Sequence, residues 1–539
     1  VFKLSYLQIL GTIVFKTVKK RHVKHQMIDS IIDVQRCAEW LGLQTEAAQT
    51  SLKEQLSSWK SGPSVLMQRS EKFKQWKTAM NKDPTLYPRA RALFQESAEI
   101  EKLMLPLICN ESKLEEESYN EILFFKSYLK PLNFVPFLLT AWSVFRVYIL
   151  PGLSLLVPFL TLLAPYFIIR FIFQLPMNIT NYMNILQAMM SGNLQAMMNP
   201  DVATGAAEAP SGAMLKQIGI VSVTFLQGIL QPYWTHQHLH SVDSIIQENG
   251  RTALRFQEVY QSLNDLFSSH GFTLFRSPLP ALPNEREATA RLLLQSTYFK
   301  MALKYIGSLE VMCALAYQPE VHPVRWVSSS HPVFRIQDSF DFQVPKEVRK
   351  TVSAIFDTNR HALLTGPNKG GKSTVLRALS ISSLFAHTYG AAMGHLTSTP
   401  FDEMFVCLKP DDLPGSKSRF EREIEFTANT LQHSKPVLVF IDELYHSTNP
   451  PDALRSCQIY CEKLWKQSQA ITVISTHLFE FVENAPNQIQ RLCCPATILE
   501  DNTIEFHYSL KDGICKVSSV DSLLQKNGLM AHPVRPESN

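Results

Sequence analysis

At 539 residues the chain has room for two to four domains and a large buried core. With 45% hydrophobic and 19% charged residues it has the composition of a folded protein, and a net charge of +4 is too small to demand a nucleic-acid partner. Its nine cysteines are odd in number and scattered, without paired C-x-x-C spacing. That argues against a disulfide framework and a zinc site, and for reduced thiols facing a cytosol.

Residues 4–14 are apolar and are followed by Lys16, Lys19, Lys20, Arg21 and Lys24. A secretory signal carries its charge ahead of the apolar run, so this stretch reads as a helix with a basic end, either solvated or lying on a membrane or nucleic acid. From 26 to 128 the pattern is helical, with Ile28, Ile31, Ile32 and Val34 at helical spacing and Pro63, Pro84 and Pro106 as punctuation. Four or five packed helices are expected there. Two apolar runs follow, 132–150 and 153–173, separated by Pro151-Gly152. Each is long enough to cross a hydrocarbon core of about 30 Å. Arg146 and Arg170 sit near the ends of their runs, and Lys126 and Lys130 precede the first. The expectation is a transmembrane helical hairpin with both ends on the cytoplasmic side; the alternative is a buried helical pair in a soluble domain.

In 177–210 the pentapeptide LQAMM appears twice, and an Ala-, Gly- and Pro-containing stretch closes the segment. It reads as a connector, or as a Met-rich face for a partner. Residues 218–230 are uncharged and apolar but dotted with glutamine, a weaker candidate span. From 242 to 317 the chain is helical again, with an apolar stripe of Leu294, Tyr298, Met301, Ala302, Tyr305 and Leu309. Beyond 324, strands alternate with helices, the pattern of an α/β domain. Strands are expected at 362–365, 404–408, 436–441, 471–475, 496–499 and 503–508.

Gly366, Pro367, Asn368, Lys369, Gly370, Gly371, Lys372 and Ser373 form a complete G-x-x-x-x-G-K-[ST] loop between an apolar strand and a helical pattern that begins at Thr374. Glycines there let backbone N–H groups converge on phosphate oxygens at a helix N-terminus. Lys372 is placed to reach the β- and γ-phosphates of ATP, and the Ser373 hydroxyl to ligate Mg²⁺. The apolar run 437–441 ends in Asp442-Glu443. Asp442 can hold Mg²⁺ beside Ser373, and Glu443 can polarise the water that attacks the γ-phosphate. A second apolar run, 471–475, ends in Thr476-His477, where an imidazole can hydrogen-bond the γ-phosphate or that water.

These residues carry a resemblance. TGPNKGGKST, from Thr365 to Thr374, resembles the Walker A loop of the MutS family of mismatch-repair ATPases, which are related to ABC transporters; only Lys369 departs, where methionine is usual. The resemblance continues through residues 411–420, Glu423, Ala428-Asn429, Asp442-Glu443-Leu444 and Ser475-Thr476-His477 to a closing pattern at 508–529. Before the loop it includes Ser330-His331-Pro332-Val333 and residues 307–316. It covers roughly residues 240 to 530. The resemblance implies a head-to-tail homodimer in which Ser418 touches the γ-phosphate bound by the other subunit, an aromatic near Phe340 that stacks on adenine, and DNA as partner. Residues 445–450 (YHSTNP) depart from the family's GRGTST loop. The family's mismatch-reading domain with its Phe-x-Glu wedge is not recognised: Phe94-Gln95-Glu96 and Phe256-Gln257-Glu258 both fall inside helical patterns.

The expected organisation is a helical region at 1–130, a transmembrane hairpin at 131–175, a linker at 176–214, a helical lever or core-like domain at 215–322 and a MutS/ABC-type α/β P-loop ATPase domain at 323–530. The expected activity is Mg²⁺-dependent ATP hydrolysis coupled to DNA binding in mismatch repair or recombination. The ATPase domain is expected to face the cytosol or nucleoplasm from a membrane held through 132–173. The alternatives are a membrane-anchored ATPase acting on a protein or lipid partner, and a nucleotide-gated scaffold with little turnover.

Overall fold

A computed structural model describes residues 31–109, 118–182, 212–272, 279–408, 418–499, 503–518 and 524. The basic stretch after residue 14, the LQAMM repeats and residues 411–417 lie outside them. The chain divides into two compact units. One comprises Val1–Ala98, Leu266–Phe272 and Leu303–Asn539; the other comprises Glu99–Asp265 and Thr273–Ala302.

In the first unit, helices α1 (Val34–Leu41), α2 (Glu46–Leu56), α3 (Pro63–Lys82) and the start of α4 (Leu86–Cys109) supply the expected N-terminal helices. Asp33 caps α1 through its side chain, Thr45 caps α2, and Pro63 stands at the first turn of α3, where its missing N–H costs nothing. These helices pack on the C-terminal region rather than forming a domain of their own. Ser70 donates to the Gly390 carbonyl at 3.0 Å, Arg69 to that of His387 at 2.7 Å, and Trp59 stacks on His387 with ring centroids 3.8 Å apart. Phe94 and Phe256 are core rings, 1% and 0% exposed, so neither Phe-x-Glu tripeptide presents a wedge.

The second unit holds helices α5 (Pro136–Val144), α6 (Leu150–Ser154) and α7 (Val157–Phe167), with π-helical turns at Phe145–Ile149 and Ile168–Ile172. It also holds most of α8 (Gly212–Ser268), together with α9 (Glu285–Leu294) and the start of α10 (Ser296–Tyr317). The expected reversal at Pro151-Gly152 is absent, because both residues lie inside α6. The apolar segment instead runs on, antiparallel to α8. Ser143 bonds Asp243, the Tyr148 ring lies by His236, Pro158 abuts Gly228 and Phe159 meets Phe225. A separation of 16 along the apolar segment (Ser143 to Phe159) thus matches one of 18 along α8 (Asp243 to Phe225), which a hairpin does not allow. The expected stripe on α10 is only partly buried. Ala302 and Leu309 lie in the core at 0% and 5% exposed, but Tyr298, Met301 and Tyr305 are 43–45% exposed, and Phe299 and Ile306 complete the buried face. Both faces of this helix are apolar in sequence, so periodicity alone does not choose between them.

Strands β1 (Val321–Pro323), β2 (Arg325–Trp326), β3 (Phe334–Ser339), β4 (Val352–Phe356), β5 (His361–Thr365), helix α11 (Lys372–Tyr389), and strands β6 (Ala391–Met393), β7 (His395–Ser398) and β8 (Glu403–Cys407) follow. Then come α12 (Arg419–Thr430), β9 (Val437–Ile441), α13 (Pro450–Leu464), β10 (Ala470–Ser475), α14 (Phe479–Glu483), β11 (Gln490–Cys493), β12 (Ala496–Ile498), β13 (Ile504–Phe506) and β14 (Lys511–Asp512). The main sheet has the order β14-β11-β5-β10-β9-β8, parallel apart from the β14 edge. Its inner strands β5, β9 and β10 are buried at every position, as helices on both faces of a parallel sheet require. A four-stranded sheet, β2-β7-β3-β4, had no counterpart among the expected strands.

Candidate functional site at the ends of the parallel strands

The carboxyl ends of β5, β9 and β10 lie side by side, and each delivers one part of the site. From β5 the chain enters the glycine loop. Gly366 has φ +146°, and a Cβ there would fall 2.8 Å from the Cys494 carbonyl oxygen, so the turn excludes any other residue. Gly371, at φ +99°, is the N-cap of α11, and the loop is closed by Gly370 N–H donating to the Pro367 carbonyl at 3.0 Å. Asn368 and Lys369 are exposed, and Lys369 adopts a left-handed φ of +67°. Thr374 is half-buried in the first turn of α11.

Lys372 is 5% exposed, and its Nζ donates to the carbonyls of Gly366 at 2.9 Å and Pro367 at 3.2 Å. Burial pushes its pKa down, against the pull of Glu443 and Asp442. Ser373 Oγ donates to Asp442 Oδ2 at 2.5 Å, and Ser475 Oγ donates to Asp442 Oδ1 at 2.5 Å. Ser475 Oγ also accepts the Glu443 N–H at 2.8 Å. His477 Nε2 lies 3.2 Å from Glu443 Oε1, and that hydrogen bond, opposed by burial and aided by the His477, His446 and Lys372 charges, holds the Glu443 carboxyl below its usual range. Glu443 has φ +52°, a left-handed conformation that turns it off the strand end.

Five of the residues expected from sequence, Lys372, Ser373, Asp442, Glu443 and His477, are therefore joined in one hydrogen-bonded group. Two others are not part of it. Ser418 is an exposed N-cap of α12, closed in a capping box with Glu421. Phe340 is 2% exposed, with the Arg349 guanidinium 4.4 Å above its ring and Trp40 edge-on at 6.2 Å. It is a core ring, with no open face for adenine. Two contributors were missing from the expected set. Ser475 fixes both carboxylate-bearing residues, and the Tyr508 ring comes within 3.4 Å of a Cβ built on Gly371. The divergent stretch 445–450 is tied to α12: Tyr445 meets Thr427 Oγ1 at 2.7 Å, and Ser447 donates to Glu423 at 2.9 Å.

These features define an α/β domain whose glycine loop opens a helix at the carboxyl edge of a parallel sheet, faced by a carboxylate pair and a histidine. Residues 362–528 match the family model of MutS domain V, the ATPase domain of MutS, which supports MutS family membership for this region. Ser373 and Asp442 offer hard oxygen donors side by side, the donor chemistry that Mg²⁺ takes.

Proposed function

We propose that this protein is a MutS-like ATPase that binds and hydrolyses ATP at the glycine loop and couples turnover to DNA in mismatch repair or recombination. The observation that carries the reading is the convergence of Lys372, Ser373, Asp442, Glu443 and His477 within a region matching MutS domain V. Backbone N–H groups at the start of α11 and the Lys372 ammonium supply positive potential for phosphate oxygens. Mg²⁺ held through Ser373 and Asp442 would neutralise phosphate charge. Glu443, kept ionised by its hydrogen bond with His477, orients and polarises the attacking water. Ser418 stands exposed at a helix start, where its capping box leaves the hydroxyl proton to donate to a second copy of the chain, which supports a homodimer with composite sites.

The test is ATP turnover by the full chain with no DNA, matched duplex, mismatched duplex and branched DNA, with Lys372→Ala as blank. Stimulation by one DNA form is expected and would identify the structure recognised. Turnover indifferent to every DNA would overturn the DNA assignment, and turnover no greater than that of Lys372→Ala would overturn the ATPase.

A further inference from the structure

The antiparallel pairing of the apolar segment with α8 redraws the membrane question. Between residues 149 and 169 there is no charged side chain, and between 217 and 242 on α8 there is none either. Those 21 residues of the segment extend about 30 Å as helix, which matches a hydrocarbon core. Within the segment, Phe137–Ser154 is long and apolar enough to cross a membrane, and the shorter apolar helix Val157–Ile172 continues it.

Polar groups bound this stretch at both ends, and those of the segment between them are met by backbone carbonyls or by α8. At one end Arg146 pairs with Glu121 at 2.7 Å. There Ser143 donates to the buried Asp243, which Arg286 grips through two nitrogens at 2.8 and 2.7 Å. At the other end Arg170 donates to the Tyr166 hydroxyl at 2.7 Å and the Met177 carbonyl at 3.2 Å. Between them Ser154 and Thr161 donate to carbonyls of their own helices, at Leu150 and Pro158. The Val147 carbonyl, four residues before Pro151 and so deprived of its helical N–H, accepts instead from His236 Nδ1 at 2.7 Å. Gly228 lets the pair close up, since a Cβ there would lie 2.9 Å from Pro158 Cγ.

Helix α8 exposes the uncharged polar Gln227 and Gln231 beside Val223, Leu226, Tyr233 and Trp234, whereas residues 149–169 turn mostly apolar side chains outward on all sides. Leu153, Leu155, Leu156 and Val157 are 54%, 38%, 52% and 53% exposed. At about 100° per residue, such near-consecutive positions encircle a helix, whereas a protein partner covers one stripe. We propose that residues 149–169 and the first half of α8 form an antiparallel pair that crosses a lipid bilayer. Residues 173–182 and the start of α8 then lie on the face opposite to residues 118–130 and the part of α8 after 240. Lys126, Lys130 and Arg146, with Arg251 and Arg255 further along α8, mark the near face as cytoplasmic, since the far face carries only Arg170 and Lys216 at its edges and Asp201 and Glu208 between them. The crossing pair is therefore not the hairpin of two consecutive runs read from sequence.

The experiment uses the full chain expressed with membranes, carrying an epitope inserted after Gly205. Extraction by detergent but not by alkaline carbonate is expected, as is protection of the epitope from protease in sealed vesicles with the cytoplasmic face outward. Leu156→Arg with Leu160→Arg, both at exposed positions, is expected to remove most of the membrane-bound fraction while leaving ATP binding intact. Release of the wild type by carbonate, or its recovery as a detergent-free oligomer with the apolar pair covered by a second copy, would overturn the proposal. So would cleavage of the epitope in sealed vesicles, which places both ends of the loop on one face.

Discussion

His477 Nε2 stands 3.2 Å from the Lys372 ammonium, across 105 residues of sequence, and 3.2 Å from Glu443 as well. A ring nitrogen has one in-plane direction to give, so it serves these neighbours alternately. With a proton on Nε2 it donates to Glu443; with a bare lone pair it accepts from Lys372. In the proposed ATPase, the imidazole thereby links the Lys372 ammonium to the Glu443 carboxylate. His477→Ala is expected to lower kcat while leaving ATP affinity within a few-fold of wild type, and Glu443→Gln to lower kcat on the order of 10²-fold or more. Lys372→Ala is expected to lose nucleotide binding itself. Equilibrium binding of a fluorescent ATP analogue beside steady-state turnover separates these outcomes; equal loss of binding in all three variants would refute the division of roles.

Ser475 is the positioning residue of the group, since one hydroxyl donates to Asp442 and accepts the N–H of Glu443. Ser475→Ala leaves both carboxylates present but removes the atom that sets their orientation. The expected result is a kcat reduced by roughly 10-fold with a weakened Mg²⁺ dependence, and rescue by Ser475→Thr, which keeps the hydroxyl. A variant whose Mg²⁺ titration is unchanged would reduce Ser475 to a packing role.

Tyr508, with φ +47°, brings its half-exposed ring to the N-terminus of α11. An aromatic face beside a phosphate loop is where a purine can be covered, in place of the buried Phe340. Tyr508→Ala is expected to weaken ATP binding by roughly 5- to 10-fold, and Tyr508→Phe to preserve it. Loss of affinity for inorganic triphosphate of the same size would show that the ring supports the loop and does not touch the base.

The parts of this site that were legible in the sequence are those where local chemistry is decisive. The glycine loop needs particular residues at fixed offsets, and β9 and β10 are continuous apolar runs that end in Asp442-Glu443 and Thr476-His477. Tyr508 was not legible, because its approach to Gly371 depends on a left-handed turn 137 residues downstream. The sheet containing β3 and β4 was obscured by the register shift between Ile336 and Ser339, which breaks simple alternation. Pro151-Gly152 reads as a turn in isolation, yet a proline in the first turn of α6 is compatible with helix, and His236 supplies the hydrogen bond it removes. That compensation comes from a residue 85 positions away, beyond any local pattern.

His361 begins β5, the strand that feeds the glycine loop, and burial, with Arg360 adding to it, pushes its imidazole down to about 4 from the ordinary 6.5. Its Nδ1 lies 3.0 Å from Thr472 Oγ1, while Nε2 is buried without a hydrogen-bond partner. The folded chain therefore takes up this proton less readily than the unfolded one. The stability that follows is fully present above about pH 6.5 and is lost as pH falls towards 4, up to about 3 kcal/mol at the acid end. Burial also pushes His387 down, to about 3, so it acts in the same direction over the same acid range. The expected result is a Tm that falls steadily from pH 7 to pH 5 at fixed ionic strength. In His361→Asn the Tm is lower at pH 7 but falls less between the two pH values, because one of the buried imidazoles no longer titrates with folding. A variant with the wild-type slope would show that His361 keeps its proton balance on unfolding and that the acid sensitivity of this unit arises elsewhere.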